Sequence, residues 1–484
     1  MNKQLRRVSA VLLLMFTALF VSTSFIQVFA VDDLRADGRN VRVLYDSFST
    51  ERGAILVDGV AVAESVPVDD PYSYLRVYSN GPLYAPVTGY LTLNQGNTGL
   101  ESSLNEYLAG SSNELFLDQI NSLFTGQEPR GADVELTLDP VVQQAAWDAL
   151  GDQSGAIVAM DPATGEILAM VSKSSFDPNT LSAHERGAEI IARYKALLDD
   201  PTKPLINRAI GGDLYVPGST FKVLMTAAAL ENGYTPESAF PNPRTLQLPG
   251  SSSVISNVEG GACGGTETAT IAQALRLSCN IPFAQLGVEL GEDKIAEIAE
   301  EFGFGQKLSI PMAVTPSTYP SGMDDAQLML SSFGQYEDRV TPLQMTMLMA
   351  AIANGGELMQ PTLVENIIAD DLTVIQQFEP SVFSTPISEG TATTMTEMLV
   401  NGVSNGAASN ARIAGIDVAG KTGTAENGVG ELYTLWFTGF APAVDPQVAI
   451  AVVVENSGGR TSNAFGNTVA APMAKKVIEA VLSR

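Results

Sequence analysis

The sequence has little of what most catalytic metal sites and acid–base sites use. It contains one histidine, His184, and two cysteines among 484 residues. Most zinc sites, non-haem iron sites and Ser-His-Asp triads draw on histidine, and two cysteines leave no four-cysteine metal site. His184 lies in a polar stretch and is expected to be a surface loop residue. Chemistry that depends on a metal or on histidine is therefore disfavoured.

Positive charge is also scarce. Lys and Arg number 27 against 54 Asp and Glu, which gives a formal net charge of −27. A nucleic-acid-binding protein needs clustered Lys and Arg, and a surface this acidic repels a polyanion. Nucleic acid is therefore excluded as a partner. Apolar residues make up 45% of the chain, so there is ample material for a large buried core.

One long uncharged run lies near the amino terminus, from Val8 to Val31. As a helix it is long enough to cross a bilayer. Basic residues precede it and Asp32 and Asp33 follow it, so the positive-inside rule keeps the N-terminus in the cytoplasm and places the rest outside. The alternative is a signal peptide cleaved after residues 28–30, but the run exceeds the usual ~7–15 residue apolar region. Residues 1–31 are therefore predicted to be a cytoplasmic tip and an uncleaved membrane anchor.

The exported part divides into two predicted domains. Residues 32–131 contain short apolar runs broken by Gly, Pro and Asn, typical of small strands and loops, with a hairpin signal at Asp58-Gly59. A polar stretch, residues 125–131, precedes the second domain, residues 132–484.

The second domain is predicted to be α+β. A helix-like stretch at residues 140–150 opens it, and strand-like runs at residues 155–160 and 167–171 follow. Further strands at 435–440 and 448–454 come near its end. The middle, residues 217–354, is mostly helical by its apolar period. We therefore expect an antiparallel sheet, formed from both ends of the domain, that packs against helices.

A serine and a lysine lie three residues apart at the start of an apolar helix. Pro217 and Gly218 mark the helix start before Ser219, and Lys222 follows one turn later on the same face. The helix N-terminus favours negative charge at the serine, and an apolar pocket can lower the lysine pKa until the amine accepts the serine proton. This pair predicts a serine nucleophile that works without histidine. The alternative is a capped amphipathic helix with an exposed lysine.

Two further motifs supply polar groups. Lys421-Thr422-Gly423-Thr424 is typical of a strand edge whose hydroxyls and ammonium suit a carboxylate, and its glycine permits a ligand to approach the backbone closely. Ser278-Cys279-Asn280 follows a helical run, and its serine and amide can point into one cleft. The Ser-x-Asn spacing recurs elsewhere in the chain, so only the three motifs together are specific.

In this order, the motifs at Ser219, Ser278 and Lys421 resemble the signature of penicillin-recognising acyl-serine enzymes. Over nearly its whole length the sequence is similar to class B penicillin-binding proteins, the monofunctional D,D-transpeptidases that cross-link peptidoglycan, and among them to the penicillin-binding protein A group. Further landmarks of that family are Arg52-Gly53-Ala54-Ile55, Gly99-Leu100-Glu101 with Asn105 and Gly110, residues 155–162 and 169–171, residues 340–344, and residues 436–442.

The resemblance implies catalytic roles. Ser219 attacks the penultimate D-Ala carbonyl of a stem peptide, releases the last D-Ala, and holds an acyl-enzyme that the amine of a neighbouring stem resolves. Lys222 is the base, Ser278 relays the proton to the leaving amine, and Lys421 tunes the local field. β-Lactams are expected to acylate the same serine, and no metal or organic cofactor is called for.

The resemblance also implies binding roles. Asn280 holds the substrate backbone, and Thr422 and Thr424, which flank Gly423, receive the terminal carboxylate. The backbone N–H groups of Ser219 and Thr424 form the oxyanion hole. Residues 32–131 correspond to the family's pedestal, which is too short for a glycosyltransferase module, so a polytopic membrane glycosyltransferase is the expected partner.

Three features leave alternatives open. A D,D-carboxypeptidase differs mainly in its acceptor and stays open. A serine β-lactamase is disfavoured by the anchor, a β-lactam sensor by the absence of a visible signalling region, and a non-catalytic scaffold by the intact motifs.

Many relatives carry a histidine shortly before the Trp-Phe pair, whereas Tyr433-Thr434-Leu435 stands here. Cys263 and Cys279 are expected to form a disulfide in an oxidising compartment, worth about 3 kcal/mol, with two buried free thiols as the alternative.

Overall fold

The computed structural model of the protein describes residues 2–28, 30, 48, 50–93, 95–115, 130–184, 187–257, 261–428, 430–460, 462 and 464–484. Three parts of the sequence predictions lie outside these residues. They are the last anchor residue, Val31, the two aspartates that follow it, Asp32 and Asp33, and residues 125–129 of the polar boundary.

The secondary structure of the described residues is numbered in chain order. The helices are α1 Asn2–Val28, α2 Gly81–Thr88, α3 Gly99–Ser103, α4 Asn105–Leu108, α5 Pro140–Leu150, α6 Asn179–Ser182, α7 Gly187–Asp199, α8 Lys222–Glu231, α9 Ile271–Leu277, α10 Ile281–Leu290, α11 Glu292–Glu301, α12 Asp325–Ser331, α13 Pro342–Ala353, α14 Glu389–Ser404 and α15 Ala470–Leu482. The strands are β1 Ile55–Val57, β2 Val60–Pro67, β3 Tyr74–Tyr78, β4 Leu91–Thr92, β5 Gly96–Asn97, β6 Asp133–Leu136, β7 Gly155–Met160, β8 Ile167–Lys173, β9 Ala239–Pro241, β10 Thr245–Gln247, β11 Val254–Ser256, β12 Thr268–Thr270, β13 Leu308–Ser309, β14 Ala313–Val314, β15 Leu358–Met359, β16 Val364–Ile368, β17 Val374–Gln377, β18 Val382–Ser384, β19 Ala419–Ala425, β20 Thr434–Ala441 and β21 Val448–Val454.

Helix α1 contains the apolar run predicted to be an anchor. Its segment Lys3–Gln27 is 25 residues long and lies outside the core, and at 1.5 Å per residue it measures about 38 Å. The hydroxyls of Thr17 and Thr23 donate to carbonyls one turn earlier in the same helix, which satisfies them without water. The helix therefore has the length and composition of a single membrane span.

A six-stranded sheet supports the first domain, in the order β17-β16-β6-β1-β2-β3. β1 and β2 form the predicted hairpin at Asp58 and Gly59, whose φ angles of 51° and 70° suit a tight two-residue turn. β6 pairs parallel with β1 and antiparallel with β16. The sheet therefore takes strands from both sides of the predicted boundary at residues 131 and 132, and backbone hydrogen bonds connect the two parts.

A buried ion cluster holds the first domain together at one side of this sheet. Glu101 is fully buried, and its carboxylate accepts from the Nε atoms of Arg52 and Arg76, each at 2.6 Å. Arg52 also donates to Asn105 Oδ1 at 2.9 Å. Burial alone would raise the pKa of Glu101, but the two guanidinium groups lower it below its ordinary value. The family landmarks at Arg52, Glu101 and Asn105 thus meet in one contact.

A second sheet has five antiparallel strands in the order β19-β20-β21-β7-β8. β7 and β8 come from the start of the second domain and β19 to β21 from its end, which confirms the predicted arrangement. Every residue of β21 is buried, because helices cover both faces. Ala449 and Ala451 pack into the core that contains α13, whereas Ile450 and Val452 pack into the core that contains α5 and α15.

The prediction that His184 is a surface loop residue is wrong for its side chain. The residue lies outside helices and strands, but only 5% of the side chain is exposed. The imidazole packs against Phe48 and Tyr72, with ring centroids 5.5 and 4.9 Å away, and its Nδ1 lies 2.6 Å from Asp70 Oδ2. Asp70 is 114 positions earlier in the chain, so the local polar sequence carried no signal of this contact.

Candidate active site

Ser219 and Lys222 lie on consecutive turns, as their spacing predicts. Residues Gly218–Phe221 form a single 3-10 turn that leads directly into α8. Lys222 Nζ lies 3.0 Å from Ser219 Oγ. Ser219 is partly exposed, whereas Lys222 is fully buried, so the hydroxyl faces the cleft and the amine lies behind it.

The hydrogen bonds of Lys222 direct its amine. Nζ donates to the Ser278 carbonyl at 2.9 Å and to Asn280 Oδ1 at 2.7 Å. Burial, reinforced by the nearby charge of Lys421, lowers the pKa of Lys222 well below 10.5. A neutral amine has two hydrogens and one lone pair. Since both hydrogens are used by Ser278 and Asn280, the lone pair is left for the hydroxyl proton of Ser219.

The second motif follows α9. Ser278 ends this helix in the left-handed region, at φ 63° and ψ 37°, a conformation that costs a non-glycine residue about 1 kcal/mol or more. This turn directs the Ser278 hydroxyl towards Lys421 and its carbonyl towards Lys222. Ser278 therefore contacts both lysines.

Lys421 closes the opposite side of the site. Its Nζ donates to Ser278 Oγ at 2.7 Å and to the Thr422 carbonyl at 2.9 Å. Only 2% of Lys421 is exposed, and burial lowers its pKa to about 7. Hydrogen bonds thus connect Ser219, Lys222, Ser278 and Lys421 in series.

The hydroxyls beside Lys421 have different surroundings. Thr422 Oγ1 donates to the Ala407 carbonyl at 3.1 Å. Thr424 Oγ1 instead accepts from the backbone N–H of Gly466 at 3.1 Å, which uses an oxygen lone pair and lets the hydroxyl hydrogen be donated into the cleft. Thr424 is therefore the better placed of the two to bind a carboxylate.

Gly423 lies where the segment that carries the nucleophile packs on β19. A Cβ at this position would lie 2.9 Å from the Pro217 carbonyl, 3.1 Å from Trp436 Cβ and 3.2 Å from Thr220 Cγ2. The glycine therefore permits a close approach of protein atoms, in addition to the ligand approach that the sequence predicts.

Trp436 fixes the segment before the nucleophile. Its indole Nε1 donates to the Val216 carbonyl at 3.0 Å, and its ring meets Tyr215 edge-on with centroids 5.8 Å apart. The Tyr215 hydroxyl in turn donates to Glu455 at 2.6 Å. Trp436, the first residue of the Trp-Phe landmark, thus positions the chain that leads to Ser219.

The two cysteines lie beside the second motif. The structure pairs Cys263 and Cys279 in a disulfide with their Cα atoms 5.7 Å apart. Cys279 lies between Ser278 and Asn280, so the bond ties the motif to the loop before β12. Among residues that the structure describes, no group of three or more His, Cys, Asp or Glu is arranged to hold a metal ion.

Sequence reasoning missed Asn257 and Gly466. Asn257 contacts the second motif from 23 positions earlier, and Gly466 contacts Thr424 from 42 positions later. Neither residue belongs to a local motif or a periodic pattern, so no sequence signal identified them.

Comparison with known proteins identifies the family. Residues 155–479 match the family described as "Penicillin binding protein transpeptidase domain", and residues 52–134 match "Penicillin binding protein A dimerisation domain". The chain is 42% identical to "Peptidoglycan D,D-transpeptidase PbpA" of Mycolicibacterium smegmatis, over all of this chain and 99% of that protein. It is 30% identical to "Stage V sporulation protein D" of Bacillus subtilis, over 93% of this chain and 68% of that protein.

Solved structures give the same result. Penicillin-binding protein A from Mycobacterium tuberculosis, as a ceftriaxone acyl-enzyme complex, superposes with a TM-score of 0.87 at 40% identity and covers 90% of this chain and all of that one. Its penicillin G acyl-enzyme complex gives a TM-score of 0.85 at 39% identity, with the same coverage. The chain therefore belongs to the penicillin-binding protein family, as a monofunctional D,D-transpeptidase of the penicillin-binding protein A group.

Proposed function

We propose that Ser219 is the nucleophile that forms an acyl-enzyme with the stem peptides of peptidoglycan. The observation that supports this most directly is the geometry of Lys222, whose buried Nζ lies 3.0 Å from Ser219 Oγ and also contacts the Ser278 carbonyl and Asn280 Oδ1. Burial lowers the pKa of Lys222 well below its ordinary value, which favours the neutral amine, and a neutral amine bonded to Ser278 and Asn280 keeps its lone pair for the serine proton. The site therefore supplies an activated serine without histidine.

The first step forms the bond between Ser219 Oγ and the carbonyl carbon of the penultimate D-Ala. The serine proton moves to Lys222 Nζ. The oxygen of the tetrahedral intermediate is received by the backbone N–H groups of Ser219 and Thr424. These donors are uncharged and fixed in place, so they stabilise charge where it develops.

Collapse of the intermediate breaks the carbon–nitrogen bond to the last D-Ala. We assign the delivery of a proton to that leaving nitrogen to Ser278, whose hydroxyl gives up its proton as its oxygen takes one from Lys421 Nζ, 2.7 Å away. The proton gained by Lys222 is thus matched by the one lost from Lys421. Deacylation runs the same transfers in reverse, with the amine of a second stem peptide attacking the ester.

Binding of the substrate uses the remaining polar groups. Asn280 Nδ2 donates one hydrogen to the Ser256 carbonyl at 3.0 Å, and its second hydrogen is proposed to bind the substrate backbone. Thr424 is proposed to receive the terminal carboxylate, aided by the charge of Lys421, with Thr422 contributing after its hydroxyl turns away from Ala407. A β-lactam presents a similar carboxylate and carbonyl, so it acylates Ser219 and leaves slowly.

The setting of the enzyme follows from its amino terminus. We propose that α1 anchors the protein with residues 32–484 outside the cytoplasm, and that residues 32–131 and 132–484 act as pedestal and transpeptidase domains. The partner is proposed to be a polytopic membrane glycosyltransferase that contacts the anchor and the pedestal, because residues 32–131 are too few for a glycan-polymerising module and residues 155–479 match a transpeptidase domain. Co-purification from membranes in which α1 is replaced by an unrelated span tests that contact. Loss of the glycosyltransferase supports it, and unchanged recovery contradicts it.

The mechanism is tested with the full chain in detergent and a fluorescent penicillin. We expect covalent labelling of the natural protein and none of Ser219→Ala. Equal labelling of both proteins, or of neither, contradicts the assignment. A second assay offers a stem pentapeptide ending in D-Ala-D-Ala together with a D-amino acid. It shows whether the acyl-enzyme is resolved by the amine of that amino acid or by water. Exchange of the last residue shows transpeptidation, and simple release of D-Ala shows carboxypeptidase activity.

A further inference from the structure

The polar residue Asn257 lies directly behind the second motif and takes no part in the mechanism described above. It follows β11 and is 2% exposed. Its side-chain oxygen accepts from the backbone N–H groups of Asn280 at 2.9 Å and Ile281 at 3.0 Å. Two donors converge on this atom, so it must be the oxygen end of the amide. Because Ile281 begins α10, Asn257 supplies from a distant segment the cap that this helix N-terminus needs.

The nitrogen end of the same amide is fixed by a second buried asparagine. Asn257 Nδ2 donates to Asn242 Oδ1 at 2.9 Å and to the Pro243 carbonyl at 3.3 Å. Asn242 is fully buried, and its own Nδ2 donates to the carbonyls of Cys263 at 2.7 Å and Thr266 at 3.0 Å. The two amides therefore have one orientation each, and together they connect Asn280 to the loop that carries the disulfide.

The contact with Asn280 matters because of what Asn280 holds. Its Oδ1 accepts from Lys222 Nζ at 2.7 Å, and that hydrogen bond is one of the two that direct the amine lone pair at Ser219. The Asn280 backbone is pinned by Asn257, while its side chain reaches the catalytic amine. Movement of that backbone therefore moves the acceptor on which the lysine depends.

We propose that Asn257 is a positioning residue for catalysis, which holds Asn280 so that the Lys222 amine faces Ser219. It contacts neither the substrate nor the reacting atoms. The inference rests on the proposed function of Ser219 and Lys222. Without Asn257 the site keeps all of its catalytic groups, but the angle between the amine and the hydroxyl is no longer fixed.

The test compares three substitutions in the full chain in detergent, with the natural protein as reference. Asn257→Leu has a similar size but lacks both polar ends. Asn257→Ser keeps the site polar but is too short to span it. Asn257→Asp keeps an oxygen for the two N–H groups. Val477→Ala is the control for loss of stability alone, because it leaves a cavity beside α15 on the other side of the five-stranded sheet.

The readout is the acylation rate constant at saturating fluorescent penicillin, kept apart from the dissociation constant of the initial complex. A displacement of about 1 Å in a catalytic group can cost roughly 100-fold in rate. We expect a fall of this order for Asn257→Leu and, should that variant fail to fold, for Asn257→Ser. Asn257→Asp should retain more of the rate than either, and Val477→Ala should match the natural protein at a temperature where all are folded.

Three outcomes overturn the proposal. The rate constants of the Asn257 variants could match that of Val477→Ala, the dissociation constant alone could change, or Asn257→Asp could be as slow as Asn257→Leu. The first outcome would leave Asn257 a residue of stability only, the second would give it a role in binding penicillin, and the third would show that its acceptor oxygen does not position Asn280. Failure of the natural protein to become acylated is a different result, since it removes the proposed function itself.

Discussion

Lys421 Nζ lies 2.7 Å from Ser278 Oγ, and both residues are buried between β19 and the end of α9. Burial lowers the pKa of Lys421 to about 7, so its charge is partly lost near neutral pH. Burial is the main cause of the lowered pKa of Lys222, and the charge of Lys421 lowers that pKa further. Burial therefore disfavours the charged form of both lysines, and the charge of Lys421 further disfavours a proton on Lys222.

The rate of acylation should have two pH limbs. The second-order rate constant with a fluorescent penicillin should fall at low pH, because Lys222 gains a proton and can no longer accept one. It should also fall above about pH 7, because Lys421 loses the charge that gathers the carboxylate. Lys421→Arg keeps its charge at all these pH values. In that variant the basic limb should move upward, and an unchanged limb would show that another group titrates.

Gly466→Ala should weaken binding of the carboxylate. An added Cβ would overlap the carbonyl oxygens of Trp436 and Gly423, so the segment must move and its N–H must leave Thr424. Loss of this orienting hydrogen bond should raise the dissociation constant of the initial penicillin complex by about tenfold. Gly390→Ala, where a Cβ meets open space, is the matched control. Equal affinities in the two variants would argue against a role for Gly466.

Removal of the disulfide should cost both stability and rate. The double variant Cys263→Ser and Cys279→Ser frees a loop of 16 positions, which in the chain-entropy model costs about 3 kcal/mol of unfolding free energy. Thermal unfolding measures this loss, and acylation should also slow because Cys279 lies between Ser278 and Asn280. Reduced natural protein should behave like the double variant. Two free thiols in the mass of the non-reduced protein would remove the premise.

Glu101→Ala should destabilise the pedestal strongly. It leaves the guanidinium groups of Arg52 and Arg76 buried and without their carboxylate, a change that typically costs about 3–5 kcal/mol. Thermal unfolding and limited proteolysis measure the effect. Glu397→Ala removes an exposed glutamate from α14 and should change the unfolding free energy little. A similar result for both variants would mean that the cluster contributes no net stability.

The sequence predicted best the features that depend on residues close together in the chain, such as a reactive pair or an apolar run. Ser219 and Lys222 are one turn apart, so their spacing predicted their contact, and the apolar run at residues 448–454 predicted the strand β21. Contacts between distant segments had no such signal. The pairing of β6 with β1 and β16 joins parts of the chain that looked separate. Asn257, Gly466 and the buried face of His184 depend in the same way on partners far away in the sequence.

The strand order of the five-stranded sheet has a consequence for the export proposed above. β7 pairs with β21, so Gly155 lies beside Val454, and β19 with Lys421 lies beyond β20. Pairings this distant in sequence form slowly. In the orientation proposed for α1, the nucleophile segment is synthesised and translocated well before the strand against which it packs. In that orientation the catalytic cleft is complete only when translocation has delivered the last strands, and a chain halted midway across the membrane would be unable to react with penicillin.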